Sequence, residues 1–192
     1  MSAAFDHLVV AAMPLAEGEA YLTDLLGAAP QPGGQHAFMG THNRLWRLGA
    51  REYLELIAID PDAEAPPYPR WFGLDAFSGP PRLVTWVMRQ SPLVAPADSR
   101  IMQAARGDLR WQISIPDSGI SAHDGIAPLR IDWSGGPHPA EQMPDLGLRL
   151  TGLELRHPMP IADLPDDPRI RQASGPAGIT ARLQSPRGEI RL

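Results

Sequence analysis

The stretch that decides the fold is residues 33–60, GGQHAFMGTHNRLWRLGAREYLELIAID. It opens on two glycines, breaks once at Gly49-Ala50-Arg51-Glu52, and ends in Tyr53-Leu54-Glu55-Leu56-Ile57-Ala58-Ile59. A strand turns successive side chains to opposite faces. Tyr53, Glu55, Ile57 and Ile59 therefore share one face, and Leu54, Leu56 and Ala58 the other. Both faces are apolar, so this strand is expected to be covered on both sides. Glu55 then sits on a desolvated face, where a carboxylate needs a partner or a changed pKa.

Working outward, residues 5–11 read as a first strand in which Phe5, His7 and Val9 share a face. Pro14 stands where a helix can start. Leu15, Tyr21, Leu22, Leu25 and Leu26 then carry helical spacing up to Gly27. Residues 35–39 and 43–48 read as strands about the turn Gly40-Thr41-His42, and residues 51–59 as a fourth. The order is β-α-β-β-β within the first 60 residues. A Pro-rich linker follows at 61–81 and contains the aromatic patch Arg70-Trp71-Phe72-Gly73-Leu74-Asp75.

The remainder, 82–192, repeats the order. It has a strand at 82–88, a short helix within 96–105, and strands at 109–115, 128–133 and 146–155. Residues 179–192 read as a hairpin turning at Ser185-Pro186-Arg187-Gly188. Tyr53-Leu54-Glu55-Leu56 has an echo in Gly152-Leu153-Glu154-Leu155.

Composition narrows the classes. Of 192 residues, 43% are hydrophobic, enough for a core. The formal charge of -5, with no basic stripe, speaks against nucleic acid and anionic membranes. The absence of cysteine removes disulfides, thiolate metal sites and a thiol nucleophile. No apolar run approaches the length of a membrane span, and residues 1–22 have no basic leader, so the expectation is a cytoplasmic protein. There is no phosphate loop, dinucleotide fingerprint or nucleophile elbow.

Taken together, Phe5-Asp6-His7-Leu8-Val9-Val10, Leu25-Leu26-Gly27, Gly33-Gly34-Gln35-His36, Gly40-Thr41-His42-Asn43 and Tyr53-Leu54-Glu55-Leu56-Ile57 resemble the glyoxalase-like domain family of the vicinal oxygen chelate superfamily. The resemblance implies an α+β fold of paired βαβββ modules, at 1–60 and 82–192, forming a cupped mixed sheet for a small-molecule ligand. In metal-dependent members the ligands come from the first and last strand of each module. His7 and Glu55 match those positions in the first module, and Glu154 matches the carboxylate of the second. Trp86 falls where a second histidine would stand, with His36 as a substitute donor. The implied cofactor is one divalent metal ion, whose identity such donors do not fix.

Without a metal, His7 and Glu55 still form an acid–base group. His36, Asn43, Tyr53 and Trp86 are the candidate substrate contacts. His42, His123, His138 and His157 read as surface residues. The implied function is a lyase, isomerase or dioxygenase acting on a small oxygenated metabolite. The alternative is a metal-free binding protein that does no chemistry. A homodimer is the expected assembly.

Overall fold

A computed structural model describes residues 2–192. Strand β1 (Ser2–Ala11) leads into helix α1 (Leu15–Leu26), and β2 (Gln31–His36), β3 (Thr41–Gly49) and β4 (Glu52–Ile59) complete the first unit. The second unit has β5 (Arg82–Ser91), β6 (Ser99–Arg106), β7 (Leu109–Pro116) and β8 (Leu129–Asp132). These eight strands form one mixed sheet in the order β2-β3-β4-β1-β5-β8-β7-β6. The first unit is joined to the second by antiparallel pairing of β1 with β5. The sheet curls into a half-barrel so tightly that its two edge strands meet. A side chain on Gly34 of β2 would come within 2.5 Å of Arg106 Cδ on β6.

The curl gives the sheet two unlike faces. On the convex side Phe5, Leu8, Val10, Trp46, Leu54, Leu56, Trp86 and Met88 form one buried cluster. Leu22 and Leu26 of α1 pack on it, and Gly18 lets the helix close down, since a Cβ there would lie 2.5 Å from that of Ala12. A second sheet, ordered β10-β9-β11-β12, covers the rest of this side with Leu150, Leu153, Leu155 and Leu183. Its strands are β9 (Arg149–Arg156), β10 (Ile170–Ala173), β11 (Gly178–Ser185) and β12 (Gly188–Arg191). On the concave side Val9, Tyr53, Ile57, Val87, Trp111, Ile113, Leu129, Ile131 and Trp133 form the other cluster.

The alternation read for β4 holds: Tyr53 and Ile57 face inward, Leu54 and Leu56 outward. Four expectations are corrected. The second strand is Gln31–His36 rather than 35–39, and the turn before β3 falls at residues 37–40. Residues 96–105 are not a helix, and most of them belong to edge strand β6, so the second unit has no α-helix of its own. The 146–155 strand is β9 of the second sheet, and β8 takes the place expected for it. Phe5 does not share a face with His7, because β1 carries a bulge between Phe5 and His7 that turns Phe5 outward.

The 61–81 segment is also more than a spacer. Its 3-10 segment Trp71–Ala76 buries Trp71, Phe72 and Leu74 in the concave cluster. The hairpin read at 179–192 is β11–β12, paired around the expected turn. Among the described residues no helix is long and apolar enough to cross a membrane.

Candidate active site in the cup

The bulge in β1 sets the site. It places Asp6 and His7, neighbours in sequence, in one buried network. Asp6 Oδ1 accepts from His7 Nδ1 at 2.7 Å. Asp6 Oδ2 accepts from Trp133 Nε1 at 3.0 Å, Arg89 Nη1 at 3.2 Å and His138 Nε2 at 3.3 Å. His138 Nδ1 accepts the backbone N–H of Ala140, which puts the proton on Nε2, facing Asp6. Burial alone would push the Asp6 pKa up. The hydrogen bonds from His138 and His7 outweigh it and hold the carboxyl far below its ordinary value.

His7 lies between two carboxylates. Its Nε2 is 3.5 Å from Glu55 Oε2, and its ring stacks on Tyr53 at 4.3 Å between centroids. Burial disfavours the charged imidazole, but Asp6 and Glu55 raise its pKa above the ordinary value. Burial likewise pushes Glu55 up, and the hydrogen bond and charge of His7 bring it below its ordinary value. These shifts all favour the ionised carboxylates of Asp6 and Glu55 about a protonated His7 over the neutral forms. The other oxygen of Glu55 accepts from Asn43 Nδ2 at 2.5 Å, and Asn43 Oδ1 in turn accepts the backbone N–H of Gly34 at 2.8 Å. The 3.5 Å between His7 and Glu55 is an ion-pair distance rather than a tight hydrogen bond, so the Nε2 proton can be shared with a ligand atom.

Around this pair the cup is apolar and aromatic. Leu45, Trp71, Phe72, Trp111, Ile113 and Trp133 line it, together with His36, Tyr53 and Arg106. His36 meets the edge of Trp71 at 5.0 Å, and its Nδ1 lies 3.1 Å from Thr41 Oγ1. Burial lowers its pKa to about 4, so it is neutral at ordinary pH. Burial and the neighbouring carboxylates hold the Tyr53 hydroxyl protonated. The open space beside Glu55 is about 30 Å³, room for little more than one water. A ligand must displace part of the wall.

The glyoxalase-like domain matches the chain over residues 5–163. The chain belongs to the glyoxalase-like domain family. Among solved structures, a hypothetical protein from Staphylococcus aureus resembles this glyoxalase-like chain with a TM-score of 0.56 at 13% identity, covering 92% of this chain and 88% of its own. That likeness is one of fold. A methylmalonyl-CoA epimerase in complex with methylmalonyl-CoA and NH4+ is 12% identical, with a TM-score of 0.47, and covers 72% of this chain and 100% of its own. A methylmalonyl-CoA epimerase from Mycobacterium tuberculosis is 15% identical, with a TM-score of 0.43, and covers 67% and 85%. Neither likeness bears on the chemistry. No curated protein matches the chain.

Of the residues singled out in the sequence of this glyoxalase-like protein, the fold brings His7, His36, Asn43, Tyr53 and Glu55 to one cavity. It does not bring Trp86 or Glu154 there. Trp86 is fully buried on the convex face, stacks on Phe5 and donates its Nε1–H to the carbonyl of Ile126 at 3.0 Å. Glu154 is exposed on β9, 3.5 Å from Arg156, because Leu153 and Leu155 on either side of it face the convex core. The proposed ligand set of His7, Glu55 and Glu154 therefore does not assemble. Among the described residues no three His, Asp or Glu side chains converge as metal ligands would. The donors present do not by themselves make a metal centre.

Asp6, Arg89, Arg106 and His138 escaped the sequence reading. A polar residue next to His7 is expected on the opposite face unless a bulge intervenes, and nothing in residues 5–11 marks one. His138 read as a surface residue but is fully buried at the start of a 3-10 turn, Pro139–Gln142, which it caps.

Proposed function

We propose that this glyoxalase-like protein is a proton-transfer enzyme. It acts on a small oxygenated molecule whose reacting carbon lies against His7 and Glu55. The observation that carries the reading is the buried pair itself: Nε2 and Oε2 are 3.5 Å apart, at one end of an aromatic cup, with the far nitrogen of His7 held by Asp6. Glu55, ionised, takes a proton from a carbon next to a carbonyl. His7, charged, shares its Nε2 proton with the oxygen on which negative charge grows. Asp6 fixes the tautomer and orientation of His7, and Asn43 orients Glu55. Return of the proton to the same or a neighbouring carbon makes the reaction an isomerisation or epimerisation. Loss of a leaving group from the enolate makes it an elimination. One chain supplies all eight strands of the cup, so the reaction needs no partner copy.

The lowered pKa of Glu55 favours a second reading, a binding protein without chemistry, because a resting ion pair is a weak base. The two readings separate in deuterated water. A panel of small 2-oxo and 2-hydroxy acids, incubated with the protein, is followed by proton NMR for loss of the signal next to the carbonyl. Exchange by wild type that is lost in Glu55→Gln and His7→Gln supports the enzyme. Saturable binding of the same compounds, seen in tryptophan fluorescence without exchange, supports the binder. Elemental analysis of protein purified without chelator shows whether an ion joins the pair in solution.

A further inference from the structure

At the seam of the half-barrel, β2 and β6 face each other without pairing, since they are the two ends of the strand order. Arg106, on β6, crosses this seam. Its Nη1 lies 3.5 Å from Asn43 Oδ1, and Asn43 is the residue that holds Glu55. The sequence leaves room for this crossing. A Cβ on Gly34 would stand 2.5 Å from Arg106 Cδ and 2.8 Å from Nη1. A Cβ on Gly33 would stand 2.0 Å from Asn43 Oδ1. The two glycines thus keep clear the lane in which the Asn43 and Arg106 side chains meet.

Arg106 is the one arginine among the residues lining the cavity beside Glu55. Arg89, which also reaches the buried network, is committed to Asp6 and to the carbonyl of Arg51. Another arginine of β6, Arg100, pairs with Asp117. No carboxylate of the described residues pairs with Arg106, and its one weak contact is to a neutral amide oxygen. Behind it, Asp6 and Glu55 already have His7 and Arg89 as partners. That leaves one guanidinium in excess at the mouth of an apolar, water-poor cup. A guanidinium without an acid partner in such a place is suited to an anion that arrives with the ligand.

We propose that Arg106 binds a carboxylate of the substrate. The molecule acted on at Glu55 would then be a small monocarboxylic acid with an adjacent carbonyl or hydroxyl, seated with its carboxylate at the β2–β6 seam. A single planar fork matches the two oxygens of a carboxylate. A phosphate carries more charge and more acceptor oxygens than one guanidinium satisfies, and the cavity that Arg106 lines is only about 30 Å³. The reacting end of this inference rests on the proton-transfer reading, while the binding end stands without it.

Trp71, Trp111 and Trp133 in the cup wall supply the readout. Wild-type protein is titrated with pyruvate, lactate, and their neutral amides, and quenching is followed at low and high salt. The acids are expected to bind at least about tenfold more tightly than the amides, a difference that shrinks with salt. Inorganic phosphate is expected not to compete. Arg106→Gln should abolish the preference for acid over amide, and Arg106→Lys should weaken it. Gly34→Ala, which crowds the arginine without touching its charge, should reduce acid binding with the same melting temperature. Equal binding of acids and amides, acid binding unchanged in Arg106→Gln, effective competition by phosphate, or no acid binding at all would overturn the proposal. Glu55→Gln separates the two readings. It should still bind the acids while losing deuterium exchange. If wild type binds acids through Arg106 yet exchanges nothing, the proton-transfer reading fails and the carboxylate site stands.

Discussion

The two halves of the eight-stranded sheet pair their strands in the same pattern and use it for different ends. In the first, β1 lies parallel to β4, and His7 is in register with Tyr53. In the second, β5 lies parallel to β8, and Val87 is in register with Leu129. Counting two residues on from each partner sets Glu55 against Ile131. The positions of the buried ion pair are thus held, in the other half, by Val87 and Ile131, both in the concave apolar cluster. The outer faces differ as well. The first half is covered by α1. The second has none, and a cavity of about 650 Å³ lies by it, lined by Met88, Ser114, Ile120 and Ile161 among others. The same strand order can therefore hold a charged pair or a plain hydrophobic wall. What allows the pair is the surrounding set of donors and acceptors, because a buried charge without them is costly.

The comparison breaks most visibly if chemistry does not reside in the first half. Glu55→Gln is expected to reduce deuterium exchange by roughly 10²–10⁴-fold. His7 keeps Asp6 and can shed its proton, so the loss of stability should stay below that of a stranded buried charge. Urea titration of the same variant checks this. An unaltered exchange rate would move the reaction elsewhere in the molecule.

Next in size is the dependence of one half on the other. The partners of Asp6 straddle them: His7 on β1, Arg89 on β5, and Trp133 just past β8. Asp6→Asn leaves this set without its charge and should cost about 3–5 kcal/mol in chemical denaturation. A much smaller loss would mean that the halves are held together by apolar packing alone.

The pH dependence sharpens the contrast between the two histidines of the cup. His36 is held neutral, with a pKa of about 4 against 6.5 in the unfolded chain. The unfolded state then binds the extra proton first, and stability should fall as pH drops from 6.5 towards 4, by on the order of 3 kcal/mol. His36→Gln should flatten that fall. His7 has the opposite sign. Its raised pKa gives stability that is fully present below 6.5 and is lost as pH rises through the folded value. Activity that needs His7⁺ and Glu55⁻ should decline over the same alkaline range. Denaturation and exchange, measured from pH 4 to 9, test both.

The smallest effect is expected on the convex side. Trp86→Phe removes a buried hydrogen bond to Ile126 and should cost about 1–2 kcal/mol, with ligand binding unchanged. Weakened binding would bring Trp86 back into the site.

Much of this was legible in the residues. The period of Leu15, Leu22 and Leu26 marks the helix, and the alternation through residues 53–59 marks the strand, because one buried face dictates each pattern. Other features carry no such imprint. A bulge adds one residue without a compositional sign, so Asp6 is missed and Phe5 is put on the wrong face. Edge strand β6 has little apolar period to show, with Ile101 exposed and Gln103 beside it, and Pro96-Ala97-Asp98 imitates a helix start. Glu154 repeats the local pattern of Glu55, with leucines on both sides, but alternation says nothing about which sheet a strand joins. For Glu55, the face is inward and partnered. For Glu154 it is solvent.

The reach of Asp6 also sets a schedule. Its Oδ1 is met by the next residue, His7, but two of the donors to its Oδ2 stand 127 and 132 positions further along the chain. As the polypeptide leaves the ribosome, β1 to β4 and α1 emerge with β1 still lacking its second neighbour and Asp6 still lacking its indole and imidazole donors. The network around the charged pair is incomplete until residues 133–138 are out. Contacts so distant in sequence slow folding and lengthen the time for which a half-made sheet is exposed. The acid–base pair, encoded within the first 55 residues, therefore has its full set of hydrogen-bond partners only once residue 138 has been made.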